Sequence, residues 1–338
     1  MMVMTLVSRA AIAASMLAAS LAGAAAQDLE SVRFGTNWVA QAEHGGYYQA
    51  VVDGTYAECG LDVEIVPGGP QANNRMLLPV GRIDFYMGGN LIQAFSAIQE
   101  DIPTLVVAAS FQKDPQILMS HPDQGLDEFS DLPDADQLLI GAEGFATYYQ
   151  WLMVAHGFRE DNVRPYTFNP APFIADPRAV QQGYLTSEPF AVESEAGFAP
   201  NVFLLADQGF ATYATTIETR RELVEERPEV VQCFVDGSAI GWYNYLYGDN
   251  EAANEMIMRD NPEMTLEKIA YSIEKLKEYE IVDSGDALEL GIGAMTDERI
   301  ETFFEQMVEA GLFEADLDFR QAYTLEFTNN GVGLDLRP

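Results

Sequence analysis

The chain has 338 residues, 48% of them hydrophobic, with 53 acidic side chains against 18 basic ones and a formal net charge of −35. That apolar share fits packed globular lobes rather than a disordered chain. The charge excludes nucleic acid as a partner, since phosphate binding needs clustered Lys and Arg, and it disfavours an anionic membrane surface; most of it reads as a solvated, salt-tolerant exterior.

The first 26 residues carry one charge, Arg9, then a run of Ala, Leu, Met and Ser that closes on Ala24-Ala25-Ala26 before Gln27. This is the pattern of a cleaved secretory signal peptide. It predicts an exported, periplasmic protein cut near Ala26, leaving roughly 310 residues, too many for one small core and suited to two lobes. The two cysteines, Cys59 and Cys233, lie far apart in sequence. Export permits a disulfide, but their spacing leaves the pairing open.

From residue 32 the chain alternates strand and helix patterns. VRFGTNW (32–38) reads as a strand, followed by helical spacing from Gly45 to Ala57 and a second strand, LDVEIV (61–66). A short helix in PQANNRMLLPVG (70–81) leads to strand IDFYMGG (83–89), helix LIQAFSAIQE (91–100) and the buried strand TLVVAASF (104–111). The pattern restarts with strand QLLIGAE (137–143), helix GFATYYQWLMVAHGF (144–158) and strand VRPYTF (163–168). Then come helix FIADPRAVQQG (173–183), strand YLTSEPF (184–190) feeding another helix, and strand NVFLLAD (201–207), before YATTIET (213–219) leads into a long helical tail. Such alternation predicts an α/β protein of parallel βαβ units. The expected division is lobe 1 over 27–117, lobe 2 over 118–212 and a return to lobe 1 over 213–338, with crossings near Ser110–Gln116 and Gly209–Thr215. Ligands of such sheets bind at the carboxyl ends of strands, often between domains.

NWVAQAEHGGYYQA, with GLDV downstream, carries a resemblance. Asn37-Trp38, His44-Gly45-Gly46-Tyr47-Tyr48 and Gly60-Leu61-Asp62-Val63, together with GRIDFYMGGN (81–90) and GYLTSEPF (183–190), resemble the periplasmic substrate-binding proteins of nitrate, sulfonate and taurine transporters. Nearer still is their branch that binds thiamine pyrimidine precursors, which includes a eukaryotic pyrimidine synthase. The resemblance implies a two-lobed, hinged binding-protein fold (type II), a mostly parallel sheet in each lobe, and a monomer that docks transiently on an ABC-transporter permease. It implies no enzyme activity, no metal and no cofactor. The synthase uses its matching histidine as a reactant together with a pyridoxal phosphate lysine. Here three of the four lysines, Lys268, Lys275 and Lys277, lie on one charged helix, and Lys113 alone is near a possible cleft.

The candidate ligand residues sit at strand ends. Trp38, just past a strand, reads as a cleft wall or as core. His44 precedes two glycines at a helix start, where orphan amides and a close backbone approach suit a ligand; capping or burial in the core is the alternative. Tyr47 and Tyr48 point about 100° apart on a helix, and the resemblance selects Tyr48 as the second wall. Asn90 either caps a helix or meets the ligand. Phe145 and Tyr148 stand at the matching turn of the second lobe. Glu188 is either a solvated first-turn acid or, by the resemblance, the partner of an aminopyrimidine edge, to which a carboxylate accepts two N–H bonds. Asn169 lies in another strand-end loop. The expected ligand is a small planar nitrogen heterocycle, a thiamine pyrimidine precursor or similar; a small sulfonate, taurine or nitrate is the alternative, and a pyridoxal-phosphate-dependent synthase is the alternative of another class.

Overall fold

Alternating burial along LDVEIV turns Leu61, Val63 and Ile65 inward and Asp62 and Glu64 to water, the two-residue period of a half-buried strand. In this computed structural model, which describes residues 29–69 and 72–338, that strand is β2 (Leu61–Val66). It pairs in parallel with β1 (Glu30–Gly35). The leader-like segment 1–26 lies outside the described residues. Between the two strands run α1 (Gly45–Val52) and α2 (Thr55–Glu58), and after them β3 (Phe85–Asn90), α3 (Leu91–Gln99) and the wholly buried β4 (Thr104–Phe111). The segment read as a short helix at 70–81 holds a 3-10 turn over Asn74–Leu77.

The chain then leaves for a second sheet. β5 (Gln116–Ser120) is followed by β6 (Gln137–Ile140), α4 (Ala142–Ala146), α5 (Tyr148–His156), β7 (Val163–Pro165), α6 (Ala171–Ala175), β8 (Ala179–Tyr184), α7 (Glu188–Ala196) and β9 (Asn201–Leu204). It comes back as β10 (Ala214–Arg220), then α8 (Arg221–Glu226), α9 (Pro228–Tyr247), α10 (Glu251–Asp260), α11 (Leu266–Glu278), α12 (Ala287–Leu290) and α13 (Asp297–Glu309). Among the described residues, no helix is long and apolar enough to cross a membrane.

The sheet orders are β2-β1-β3-β10-β4 and β7-β6-β8-β5-β9. In each, four strands run one way and the fourth in order runs against them: β10 is antiparallel to β3 and β4, and β5 to β8 and β9. Each opposed strand is the one that has just crossed from the other sheet. The sheets are therefore mixed rather than built of parallel units alone. Two local expectations are corrected. FIADPRAVQQG is not one helix: α6 stops at Ala175, before Pro177, and AVQQGY is strand β8. YLTSEPF contributes only its first residue to that strand; Glu188-Pro189-Phe190 open α7, with proline near its start, a position that needs no amide donor.

The first lobe's core centres on Phe234 of α9. Its ring stacks on Phe85 at 4.1 Å and on Tyr56 at 5.2 Å. Helix α9 crosses α1 at backbone contact, for a β-carbon on Gly241 would collide with the carbonyl of Gly46, and one on Gly45 or Gly46 with the rings of Tyr245 or Trp242. The glycine pair in HGGYY thus serves helix packing rather than the approach of a ligand. Beside this contact Cys59, after α2, and Cys233, on α9, form a disulfide with Cα atoms 5.9 Å apart, 174 positions apart in sequence.

Closing so long a loop restricts the unfolded chain, and such bridges contribute about 2–4 kcal/mol. Denaturant unfolding of the Cys59→Ser/Cys233→Ser double variant is expected to show a loss of about that size, and the unreduced wild type to show no free thiol in a thiol titration.

Candidate functional site

The space between the sheets is bordered by strand-end turns from both lobes. On one side stands Trp38, three residues past β1. Its ring lies 5.4 Å from Phe168, tilted by 41°. Phe168 belongs to the second lobe, on the loop after β7, where its backbone is left-handed (φ 60°) and its side chain 62% exposed. Phe168 is thus an exposed aromatic with a left-handed backbone, set against a tryptophan of the other lobe and outside the core. Phe168 also lies 5.4 Å from Tyr166.

The Tyr166 hydroxyl donates to Glu188 Oε1 at 3.3 Å, and the Tyr184 amide donates to Oε2 at 2.7 Å. Glu188 is therefore turned inward and held, not left in bulk solvent. In the same turn the Thr186 hydroxyl donates to Glu43, a first-lobe acid only 3% exposed on the 3-10 turn Ala42–His44. Toward the first crossing, Asn90 caps its helix, one of the two roles foreseen for it, and also meets a carboxyl of this chain. Its Oδ1 accepts from the Ile92 amide at 3.1 Å, capping α3, and its Nδ2 donates to Asp114 Oδ2 at 2.8 Å. Asp114 lies in the first crossing, with its other oxygen bound to the Gln116 amide at 3.0 Å. Gln93 of α3 donates to Glu143 of α4 at 3.1 Å, a further contact between the lobes.

Burial raises the pKa of Glu43, Asp114 and Glu188, because desolvation penalises the charged form. Asp114 reaches about 6, and Glu43 and Glu188 push on each other as like charges. Among the described residues no cation compensates any of them; the groups that favour their charged forms are hydroxyl, amide and backbone donors. The neighbouring cations are engaged elsewhere. Lys113 pairs with Asp207 at 3.3 Å and Arg75 with Glu218 at 3.7 Å. Among the described residues no cluster of His, Cys, Asp and Glu is arranged to hold a metal ion.

Of the residues expected from the sequence, Trp38, Asn90, Tyr148 and Glu188 lie among these contacts. The Tyr148 hydroxyl donates to Gln182 at 2.9 Å and feels Asp114, Glu188 and Glu143, which with burial push its pKa well up. The others are placed differently. Tyr47 is core, with its hydroxyl on Ser110 at 2.9 Å and its ring against Phe34 at 4.5 Å. Tyr48 is fully buried with its hydroxyl on Asp260 of α10 at 3.1 Å; both tyrosines spend their hydrogen bonds inside the first lobe. His44 is fully buried, neither ring nitrogen has a partner among the described residues, and burial lowers its pKa to about 3. It neither caps α1 nor carries charge. Phe145 stacks on Tyr149 of its own lobe at 5.5 Å. Asn169 is exposed and caps the chain before α6 through the Ala171 amide at 3.0 Å. Glu43, Asp114, Tyr166, Phe168 and Thr186 were not foreseen. Glu43 had a signal, an acid beside His44 in an aromatic strand-to-helix turn; Asp114 lay inside the expected crossing, and Tyr166, Phe168 and Thr186 lay in the expected strands VRPYTF and YLTSEPF.

Residues 41–253 match the model of the family described as NMT1/THI5 like. The chain belongs to that family. It is similar, at 25% identity over 312 residues, to the riboflavin-binding protein RibY of Chloroflexus aurantiacus, with 90% of this chain and 87% of that protein covered. Among solved structures, the periplasmic sulfonate-binding protein SsuA of Methylobacillus flagellatus superposes with a TM-score of 0.61 at 14% identity, covering 89% of this chain and 93% of that one. The desulfurization enzyme DszB, in its complex with biphenyl-2-sulfinic acid, superposes with a TM-score of 0.58 at 13% identity over 89% of this chain and 98% of that one. These superpositions establish the periplasmic-binding-protein fold. They leave the ligand of this NMT1/THI5 like chain to its own residues, since a binding protein and an enzyme share the scaffold.

The raised carboxyls make a pH prediction with a definite sign. A carboxyl whose pKa is higher folded than unfolded keeps its proton in the native state after the unfolded chain has lost its own, so its penalty is absent below the unfolded value and complete above the folded one. For Asp114, between 3.8 and about 6, the penalty is on the order of 3 kcal/mol at neutral pH. The melting temperature of the unliganded protein is expected to rise as the pH falls from 7 to 5, and Asp114→Asn, which imitates the protonated form, is expected to flatten that slope in a pH series of thermal melts.

Proposed function

We propose that this protein is an exported solute-binding protein of an ABC importer, one that captures a planar nitrogen heterocycle between its lobes and delivers it to a membrane permease without chemical change. The observation that carries the reading is the pairing of an aromatic wall, Trp38 with Phe168, with an inward-held, cation-free carboxylate, Glu188. The wall offers a π-face to a flat ring. The carboxylates and the tyrosine and glutamine oxygens supply acceptors for its N–H or O–H groups. Export is supported by the leader-like first 26 residues and by the disulfide, which suits an oxidising compartment.

The same acids weigh against sulfonate, taurine or nitrate. An anion would meet Glu43, Asp114 and Glu188 with no free arginine or lysine beside them. A pyridoxal-phosphate enzyme is disfavoured because Lys113 is paired with Asp207 and the other lysines lie on α11. A thiamine pyrimidine precursor and a flavin both fit the chemistry; the likeness to a riboflavin-binding protein supports the second. The lobes are taken as the two sheets with their helices, hinged on the segments before β5 and before β10, and the protein as a monomer that meets the permease transiently.

A thermal-shift screen against riboflavin, aminopyrimidines, alkanesulfonates and nitrate tests the proposal. A ligand at 100 times its dissociation constant adds about 2.7 kcal/mol of stability. A heterocycle is expected to stabilise the protein and the anions are not; stabilisation by sulfonates or nitrate alone would overturn the reading. For the heterocycle that binds, Trp38→Ala is expected to raise Kd roughly tenfold through lost stacking, and Glu188→Gln roughly tenfold to a hundredfold through a lost charge-assisted hydrogen bond, both measured by calorimetry.

A further inference from the structure

Helix α11, in the return to the first lobe, carries a polar residue on its apolar stripe. Its buried positions are Ile269, Ser272 and Leu276, spaced to share one face. Ser272 is 2% exposed. Its hydroxyl shares its one proton between the Thr186 carbonyl in the second lobe and the Lys268 carbonyl one turn back on its own helix, each 2.9 Å away. Thr186 is itself 3% exposed, and its hydroxyl donates to Glu43 of the first lobe. A second-lobe residue is thus held through both its side chain and its backbone by two separate first-lobe elements. Next to it, Phe190 of α7 lies 5.2 Å from Tyr271 of α11.

We propose that Thr186, clasped between Glu43 and Ser272, is a latch that holds the lobes together before a ligand arrives and so sets affinity as a positioning residue, without touching the ligand. The proposal rests on the reading of the space between the lobes as a ligand site. Two effects oppose each other here. Opening would return water to the buried Glu43 carboxylate, which favours the open form. It would also break both Thr186 contacts and part Phe190 from Tyr271, which favours the closed form. The Thr186 hydroxyl tips the balance, since without it Glu43 stays buried in the closed form but loses that donor, which costs more than the bond alone. A ligand that needs the closed form binds more weakly in proportion to the fraction of closed protein lost.

Small-angle scattering of the unliganded protein, alongside riboflavin titration followed by its fluorescence, tests the latch. Thr186→Val is expected to enlarge the unliganded radius of gyration and to raise the riboflavin Kd roughly tenfold, and Ser272→Ala to do both more weakly, roughly threefold. Thr186→Ser keeps the hydroxyl and is expected to match the wild type. Glu188→Gln, a contact variant, is expected to weaken riboflavin while leaving the unliganded scattering unchanged. Identical scattering from wild type, Thr186→Val and the milder Ser272→Ala would overturn the latch. A wild type that binds no riboflavin counts against the flavin as ligand alone, since the scattering comparison still decides the latch.

Discussion

Each sheet borrows its fourth strand from a chain that has just left the other sheet. β10 lies between β3 and β4, so the first lobe cannot be completed until the chain has passed through the whole of the second. That constraint fixes two crossings between the lobes rather than one, and sets the opposed direction of β5 and β10. It also brings α9 back to cover the first sheet, where glycines at both sides of its contact with α1 let the helices meet at backbone distance. The disulfide then ties the start of the first lobe to its return.

Because the crossings are side by side, strand-end turns from both lobes meet, Thr186 with Glu43 and Phe168 with Trp38. A protein with this charge can leave most of its acids in water at little cost. Glu43, Asp114 and Glu188 are the costly ones, for they are withdrawn from solvent and receive hydroxyl, amide and backbone donors instead of cations. Those donors keep the buried oxygens paired without neutralising their charge. Trp38 and Phe168 supply the flat surfaces beside them. Thr186 and Glu188, two residues apart in one short turn, make different contacts: Thr186 reaches Glu43 of the other lobe and Glu188 accepts from Tyr166 and Tyr184.

Much of the architecture could be read along the chain. LDVEIV and TLVVAASF announce a half-buried and a fully buried strand, and both form. AVQQGY did not, because Gln181 and Gln182 break the apolar pattern. Its strand character comes from pairing with β5 on one side and β6 on the other, while Gln182 serves as acceptor for the Gly141 amide and the Tyr148 hydroxyl. β5 was hidden for another reason: QILMS follows β4 so closely that it reads as part of the crossing.

Glu188, read as the end of strand YLTSEPF, instead opens α7. From apolar periodicity and glycine placement, which are local properties, the sequence does show the strand-to-helix turns that hold Trp38 and Asn90. It could not decide which side of α1 faces what. Tyr47 and Tyr48 are claimed by Ser110 and Asp260, one on β4 and the other at the end of a helix more than two hundred residues away. Nor could it join Glu43, Thr186 and Ser272, which come from three distant segments. Helix facing and contacts between lobes are set by the partners that long-range packing delivers, and a one-dimensional pattern holds no record of those partners.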